Sequence, residues 1–363
     1  MNRRPLLRTG VVKGVVERRG KTTILLVETE EGEANAVNYE ELTGEAAPGD
    51  RVVLNVSAVA LGLGTGGQHF VVANLSHPEV DFEGEGRGMK LRYTPLQRPV
   101  ELVEEEFPEL FSAEGGLEGM PVVLAPLHSL AIACMVGLQW LRKGIKVAFI
   151  MDDSAGLMAG LSEVLRRVEE GGMARTITVG QAFGGELEAV NIYTGLVAAK
   201  RVCGAEVAVV GSGPGHVGTG TRYGFSSLSL VSAANAAKAL EGVALLLPRI
   251  SFADARERHR GLSHHMVTLL SVCLTPLPVV FPSLPEEQEK VLAMGWQGVN
   301  KRHRRETRDG GFMGEALEAF RGLESMGRTY DDDPAFFQAA GATSRMVLEL
   351  VDGWSESGRR GKT

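Results

Sequence analysis

The sequence predicts an α/β protein in which a small N-terminal all-β, barrel-like domain precedes a larger doubly wound domain with a mostly parallel sheet. The first observation is that residues 1–80 alternate apolar and polar side chains between glycine, proline and charged turns. This pattern is typical of a small antiparallel sheet closed into a barrel. The second observation is that, from about residue 100, short apolar runs alternate with amphipathic segments. That pattern indicates parallel strands covered by helices on both faces.

Six apolar runs in the second part are candidate strands. They are VVLAPL, KVAFIM, RTITVG, EVAVVG, VALLLP and PLPVVF. Most of them precede a segment with helical periodicity, the last of which covers residues 286–294. We therefore expect the α/β domain over residues 100–352, with its final helix over 334–352.

Two other segments have no periodicity. Residues 81–99 mix charge, glycine and proline, which predicts a linker or a strap. Residues 353–363 are polar and end in SGRRGKT, which predicts a disordered tail. The expected organisation is thus a β-barrel domain over 1–80, a linker, an α/β domain and a tail.

Composition limits the class of protein. The chain has 363 residues, 44% hydrophobic and 23% charged, as expected of a globular protein of two or three domains. Its net charge of −7 argues against a protein that mainly coats nucleic acid or anionic lipid. Cys134, Cys203 and Cys273 lie far apart in apolar contexts. They are expected to be reduced thiols of the core, in a cytoplasmic protein.

Membrane insertion is not expected. Residues 121–140 and 266–285 have no charged side chains, but the first contains Pro126 and His128 and the second contains four prolines. A strand, a turn and a buried helix explain the first stretch better than a membrane span does. The basic N-terminus has no apolar segment after it, so no signal peptide is expected.

The most informative motif is the glycine loop, residues 211–220, which follows the apolar run 207–210 and precedes a helix start. Such a loop exposes backbone N–H groups beside a positive helix end, which favours an anion such as phosphate or carboxylate. The loop satisfies G-x-G-x-x-G, but the next strand ends in Pro248 and Arg249 instead of an acid, which argues against a dinucleotide site. The Walker pattern fails because Thr219 stands where lysine is required. A long mobile turn remains the alternative.

Polar side chains follow the other candidate strands as well. In open parallel sheets, ligands bind outside the carboxyl ends of the strands, so a functional crevice is expected there in preference to ordinary polar turns. The candidates for acid–base catalysis are His128, Asp152, Asp153 and His216. The candidates for anion binding are Gly211, Gly213, Gly215, Gly218, Thr219, Thr221, Arg222, Arg249 and Arg256.

Several of these residues have a structural alternative. Asp153 can cap the next helix, and His128 can be a histidine satisfied at a helix start. A divalent metal ion is the cofactor that the residues allow, with Asp152, His259 and His264 as candidate ligands. However, His259 and His264 would lie roughly 140° apart on one ideal helix, which would not aim both at one ion.

A resemblance supports the two-domain organisation. The segments PLHSL, MDDSAGL, FGGELEAVNIYTGL and GSGPGHVGTGTRYGFS, together with the β-rich start, resemble an uncharacterised bacterial domain-of-unknown-function family over nearly the whole chain. That family implies no activity, and no catalytic residue is transferred from it.

Three functional hypotheses follow. The first is an enzyme that binds a small anionic, phosphorylated metabolite at the carboxyl ends of the parallel sheet. The second is a regulator that senses such a metabolite without converting it. The third is a nucleic-acid-associated protein that uses the β-domain and the basic run 301–308, although the acidic net charge counts against nucleic acid and the run is typical of a solvated surface. A homo-oligomer is compatible with each of them.

Overall fold

The computed structural model describes residues 6–63, 66–82, 84–112, 116–154 and 158–360, the last seven of these for their backbone only. The chain divides into two compact units, Met1–Glu101 and Leu102–Thr363.

The N-terminal unit is built around a closed five-stranded barrel with the strand order β1-β2-β3-β5-β4. The strands of the barrel are β1 Leu7–Arg19, β2 Thr22–Thr29, β3 Gly32–Tyr39, β4 Arg51–Asn55 and β5 His69–Asn74. The unit also contains a separate pair of strands, β6 Gly88–Lys90 and β7 Arg98–Val100. Two one-turn helices lie between strands of the barrel: α1 Glu40–Thr43 follows β3, and α2 Ser57–Ala60 follows β4. Apolar side chains such as Val12, Leu25 and Leu54 fill the barrel. The predicted barrel is therefore confirmed.

Two features of this unit differ from the sequence expectation. The prediction of a purely antiparallel sheet is wrong for β3 and β5, which pair in parallel. Helix α1 and strand β4 intervene between them, so the connection is long enough for a crossover. The segment 81–99, predicted as a linker, contains β6 and most of β7, which pair with each other antiparallel.

The C-terminal unit contains an eight-stranded, all-parallel sheet with the order β11-β10-β9-β12-β8-β13-β16-β17. Its strands are β8 Pro121–Leu124, β9 Val147–Asp152, β10 Arg175–Thr178, β11 Leu187–Glu188, β12 Val207–Ser212, β13 Val243–Leu246, β16 Pro278–Pro282 and β17 Arg304–Arg308. A separate antiparallel pair consists of β14 Ile250–Ser251 and β15 Gly261–Leu262. The predicted parallel α/β layer is thus confirmed.

Helices flank this sheet in two groups. The helices are α3 Val103–Glu106, α4 Pro108–Ser112, α5 His128–Leu141, α6 Glu163–Glu170, α7 Ile192–Arg201, α8 Leu230–Ala239, α9 His264–Val272, α10 Glu286–Trp296, α11 Met313–Phe320 and α12 Pro334–Arg360, with 3-10 turns at Ala159–Leu161, Ser226–Ser229 and Glu257–His259. Helix α5 packs with α6, α11 and α12, whereas α7 packs with α8. Because α12 covers α5, apolar side chains are buried almost all round α5.

Several segments of this unit differ from the sequence expectation or were not predicted from it. The basic run 301–308 contains β17, and α9 and α11 were not predicted. Helix α12 extends to Arg360 and so enters the segment expected as a tail, of which residues 361–363 lie outside the described residues.

The two uncharged stretches belong to strands and short helices of the α/β unit. Residues 121–140 form β8 and most of α5, and residues 266–285 contain most of α9 and all of β16. Within the described residues, no helix combines the length and the apolar character that a membrane span requires. The three cysteines are free thiols, and Cys134 and Cys273 are buried.

Candidate functional site at the carboxyl edge of the sheet

The middle of the sheet positions the candidate site. Strand β8 pairs with β12 on one side and with β13 on the other. The connection after β8 leads into α5, and the connection after β12 leads to α8, which belongs to the other group of helices. Connections that leave neighbouring strands toward opposite faces open a crevice at the carboxyl edge. The segments after β12 and β13 therefore lie beside the end of β8.

The segment after β13 folds back on itself. Strands β14 and β15 pair, and the backbone N–H of Ser263 donates to the carbonyl oxygen of Arg249 at 3.1 Å. Gly261, with a φ of 69°, takes a left-handed conformation that favours glycine. Helix α9 starts only at His264, where the hydroxyl of Ser263 accepts a hydrogen bond from the N–H of His265. His259 therefore belongs to a separate 3-10 turn and not to this helix.

This turn brings histidines together. The ring centroids of His259 and His264 are 4.9 Å apart, those of His259 and His265 are 5.0 Å apart, and those of His264 and His265 are 4.2 Å apart. His216, from the loop after β12, stacks on His265 at 5.4 Å. We call His216, His259, His264 and His265 the histidine cluster. His259 and His264 do not lie on one helix, so the separation of roughly 140° expected for one ideal helix does not apply to them.

Burial keeps these imidazoles neutral. It is the main cause that lowers the pKa of His259 and of His265 to about 3, and the positive charge of Arg249 contributes at both. Burial, then the charge of Arg249, lowers the pKa of His216 to about 4. The pKa of His264 is lowered too, by burial and by the charge of Arg258. Neutral imidazoles have a lone pair to offer to a metal ion or to a proton.

An arginine–aspartate network borders the histidine cluster. Asp254 is buried and is paired with Arg249 at 3.3 Å, Arg256 at 2.9 Å and Arg328 at 3.6 Å. Arg328 also lies 3.4 Å from a carboxylate oxygen of Asp333. Burial alone would raise the pKa of Asp254, but its hydrogen bonds with Arg256 and the two nearest guanidinium charges hold that pKa below its usual range. Three cations for two carboxylates leave an excess positive charge here.

Positive charge also lines the adjoining cleft. This cleft has a volume of about 620 Å³, and its wall includes Arg222, Arg258, Arg260, Glu257 and His264. Within the described ranges, none of the three arginines forms an ion pair. His264 also belongs to the histidine cluster, so the cleft and the cluster share this residue.

The glycine loop shapes this region but is not an open amide cradle throughout. The backbone N–H groups of Val217, Thr219 and Thr221 donate within the loop and its flanking turn. Gly220 lines the cleft, and its φ of 78° is left-handed. Gly211 instead lies inside β12, where a Cβ atom would come 3.1 Å from the carbonyl oxygen of Ala125, the residue after β8.

The remaining glycines and threonines predicted to bind an anion lie in the glycine loop or directly beside it. A Cβ atom on Gly218 would lie 3.2 Å from the His265 ring, so this glycine lets the loop approach the histidine cluster. Gly215 has a left-handed φ of 98°. The hydroxyls of Thr219 and Thr221 are 2.8 Å apart and bond each other. Gly213 follows directly on the end of β12.

The carboxylates of Asp152 and Asp153 accept hydrogen bonds from loops at the carboxyl edge of the sheet. Asp152 accepts hydrogen bonds from the hydroxyls of Ser154 at 2.6 Å and of Ser229 at 2.7 Å. Asp153 accepts from the backbone N–H of Gln181 at 2.8 Å. Asp152 is therefore linked to the 3-10 turn that carries Ser227, but the metal-competent group of side chains found among the described residues does not include it.

His128 lies at the start of α5, where protein groups engage both of its ring nitrogens. Nδ1 is 3.1 Å from the carbonyl oxygen of Ser212, and Nε2 is 2.7 Å from the hydroxyl oxygen of Ser162. A carbonyl only accepts, so Nδ1 carries the proton and Nε2 accepts from Ser162. Burial lowers the pKa of His128 to about 4. A substrate would have to break one of these bonds to reach the ring.

Two arginines of the basic run 301–308 are paired with neighbouring carboxylates. Arg305 pairs with Glu289, and Arg308 pairs with Glu349 at 2.8 Å. Its histidine, His303, is buried and bonds the carbonyl oxygen of Leu270 at 2.8 Å. Paired arginines on an edge strand offer less free charge to a polyanion than the sequence alone indicates.

Four residues in or beside the histidine cluster were given no role from the sequence: Ser263, His265, Arg328 and Asp333. Arg328 and Asp333 come from the connection between α11 and α12, which follows no strand of the sheet, so a search at strand ends does not reach them. The signal for Ser263 and His265 was the segment LSHH, in which a serine precedes two histidines as a helix cap.

Comparison with known proteins agrees with the resemblance seen in the sequence. No curated protein matches the chain significantly. A family model described as a protein of unknown function, DUF3866, matches residues 35–344. The match runs from β3 of the barrel to the interior of α12 and so includes every residue of the candidate site. The chain therefore belongs to the DUF3866 family of proteins of unknown function.

Proposed function

We propose that this chain is an enzyme that acts on a small anionic molecule, with phosphate esters as the best-matched class, in the cleft beside the histidine cluster. The observation that carries the proposal is that His264, a member of the histidine cluster, lines the cleft together with Arg222, Arg258 and Arg260. Guanidinium groups match the geometry of phosphate oxygens, so these three arginines would bind the anion.

The histidines would supply the chemistry. A binding protein needs cations to hold an anion, but it does not need several neutral imidazoles packed beside them. His216 and its neighbours have pKa values lowered by burial, so at neutral pH they can accept a proton or hold a metal ion. Arg249 and Arg256, fixed by Asp254, would add positive potential at the reacting end of the substrate.

A thermal-shift experiment tests anion binding. The probes are inorganic phosphate, nucleotides and sugar phosphates, each compared with chloride at the same ionic strength. We expect phosphate compounds to raise the melting temperature of the wild-type chain by several degrees, because a ligand that binds only the folded state stabilises it. The double variant Arg258→Ala, Arg260→Ala should lose this shift.

The matched control is Arg166→Gln, which removes an arginine paired with Glu163 and Glu170 on α6. It should keep the full shift. An equal shift in the wild type and the double variant would contradict anion binding in this cleft.

Phosphorus NMR of the stabilising compounds then separates an enzyme from a sensor. Conversion of a bound phosphate ester by the wild type, and its loss in His216→Gln, supports catalysis. Stabilisation without any conversion would contradict the enzyme and favour the regulator. Binding that depends on the length of a nucleic acid would instead favour the nucleic-acid hypothesis.

A further inference from the structure

We propose that His259, His264 and His265 bind a divalent transition metal ion of the Zn²⁺ type. One ligating atom from each of the three side chains lies within 4.8 Å of the others. A tetrahedral ion with Zn–N bonds of 2.0–2.1 Å needs nitrogens about 3.4 Å apart. The three nitrogens would therefore move closer together, by up to about 1.4 Å, when the ion binds.

Two ring nitrogens of the histidine cluster are buried. Within the described residues, neither Nε2 of His264 nor Nδ1 of His265 has a hydrogen-bond partner, and only 4% of His265 is exposed. Burying a polar atom without a partner costs free energy, so such atoms call for a ligand, a water or an ion. A metal ion would satisfy both atoms at once.

The third imidazole is held by a partner on its other nitrogen. Nδ1 of His259 lies 2.8 Å from the hydroxyl of Ser263, which leaves Nε2 to face a metal ion. Histidines that ligate metals typically bond a second group in this way, which fixes the ring and its tautomer. Because Ser263 also caps α9, one hydroxyl orients His259 and anchors the helix start that carries His264 and His265.

His216 is left out of the proposed ligand set. Its ring stacks on His265, but its Nε2 lies 3.1 Å from the hydroxyl of Ser227. Three protein ligands leave an open fourth position, as in catalytic zinc sites. His264 borders the cleft, so this position would be accessible from the cleft.

The charge around the cluster favours a metal ion accompanied by an anion. Arg249 is buried and its charge acts on His259 and His265, so a bare dication would be repelled. An anion at the fourth position would bridge the ion and the guanidinium groups. This bridging rests on the proposed function, whereas the three-histidine site does not.

Cobalt titration of the full-length chain tests the site. The protein is stripped with a chelator, dialysed, and titrated with Co²⁺ while visible absorption and bound metal are measured. We expect one tightly bound Co²⁺ per chain, with the intense visible bands of a low-symmetry, four-coordinate ion. His264→Gln and His265→Gln should each weaken binding by at least about 10-fold, since loss of even an indirect partner of a ligand typically costs 10- to 100-fold.

The matched control is His77→Gln, which removes an exposed histidine of the N-terminal unit. It should bind Co²⁺ as the wild type does. Equal binding by the wild type and both cluster variants, or only weak octahedral spectra in the wild type, would overturn the proposal.

If the cluster variants do not fold, X-ray absorption of the zinc-loaded wild type decides the question. Scattering from about three imidazoles supports the site, and an all-oxygen shell overturns it. Repeating the titration with inorganic phosphate separates the two proposals. Tighter cobalt binding with phosphate supports both, whereas cobalt binding that phosphate leaves unchanged supports the metal site and contradicts the bridging anion.

Discussion

His264 and His265 are consecutive in the chain, and their rings lie 4.2 Å apart at the first turn of α9, each with one buried nitrogen that has no hydrogen-bond partner among the described residues. Consecutive residues on a helix point about 100° apart, so these two side chains alone do not form a compact group of three ligands. His259 supplies the third side chain from the preceding 3-10 turn. The turn between β14 and α9 therefore creates the cluster.

Replacing Ser263 by alanine should weaken metal binding. The change removes the cap of α9 and the partner of His259 Nδ1. We expect a loss of about 1 kcal/mol in the free energy of unfolding and a 10- to 100-fold loss of Co²⁺ affinity. The control is Asn191→Ala, which removes the cap of α7 at a similar cost in stability but should leave cobalt binding unchanged. Equal cobalt affinity in the two variants would contradict the orienting role of Ser263.

Replacing Asp254 by asparagine should destabilise the chain strongly. Asp254 is the counter-charge of buried Arg249, and an unpaired buried charge costs about 3–5 kcal/mol. The matched change Arg256→Gln should cost about 1 kcal/mol or less, because 48% of that side chain is exposed. Urea unfolding of the three proteins measures the difference. Similar losses in both variants would show that Asp254 does not compensate Arg249.

His128 should contribute to acid sensitivity. Its pKa in the folded chain is lowered to about 4, below the ordinary value of 6.5, so the unfolded chain binds more protons between these pH values. The stabilisation is complete above about pH 6.5 and is lost as the pH falls toward about 4. In His128→Asn, the free energy of unfolding should fall less between these pH values, by an amount of the order of 1–3 kcal/mol.

The measurement is the free energy of unfolding of both proteins across that range, with exposed His77→Asn as the control for loss of a histidine. The slope against pH is the readout, because the variant also loses the bonds to Ser162 and Ser212 and starts less stable. A slope as steep in His128→Asn as in the wild type would contradict the assignment.

Gly137→Ala tests the packing of α5 against α12. An added Cβ would lie 2.8 Å from the hydroxyl of Ser344 and 3.0 Å from the sulfur of Met313. The hydroxyl is held by the carbonyl oxygens of Cys134 and Ala340, so it cannot move aside freely. Although alanine favours helix by about 1 kcal/mol, crowding of about 1–3 kcal/mol should prevail. Thermal unfolding should show that Gly137→Ala lowers the melting temperature of the wild-type chain. The same change should lower it less in a chain that already carries Ser344→Ala.

Six of the eight strands of the sheet were predictable because their composition is simple. A buried parallel strand such as β8 or β12 is a continuous apolar run, and its position in the chain is evident from the helical segments around it. Strand β17 was not predictable in this way. It is an edge strand of sequence RRETR in which Arg305 and Arg308 pair with carboxylates of other elements, so its sequence is typical of a solvated surface.

The location of the candidate site at the carboxyl edge of the sheet was predictable, but the distances among its side chains were not. Strand ends indicated His216, Arg249 and His259 because parallel strands share one carboxyl edge. The distances among the histidines depend on the turn at Gly261 and on the cap at Ser263, which no periodicity encodes. His128 and Asp152 were found at the same edge, but their hydrogen bonds to other loops could be known only from the folded chain.

The most direct test is anomalous X-ray diffraction at the zinc absorption edge, from crystals of the full chain grown with Zn²⁺. The account predicts one anomalous peak bonded to ring nitrogens of His259, His264 and His265 at about 2.0–2.1 Å, with its open side toward the cleft lined by Arg258 and Arg260. Zinc bound only at other surface sites, with the three rings unchanged, would contradict it.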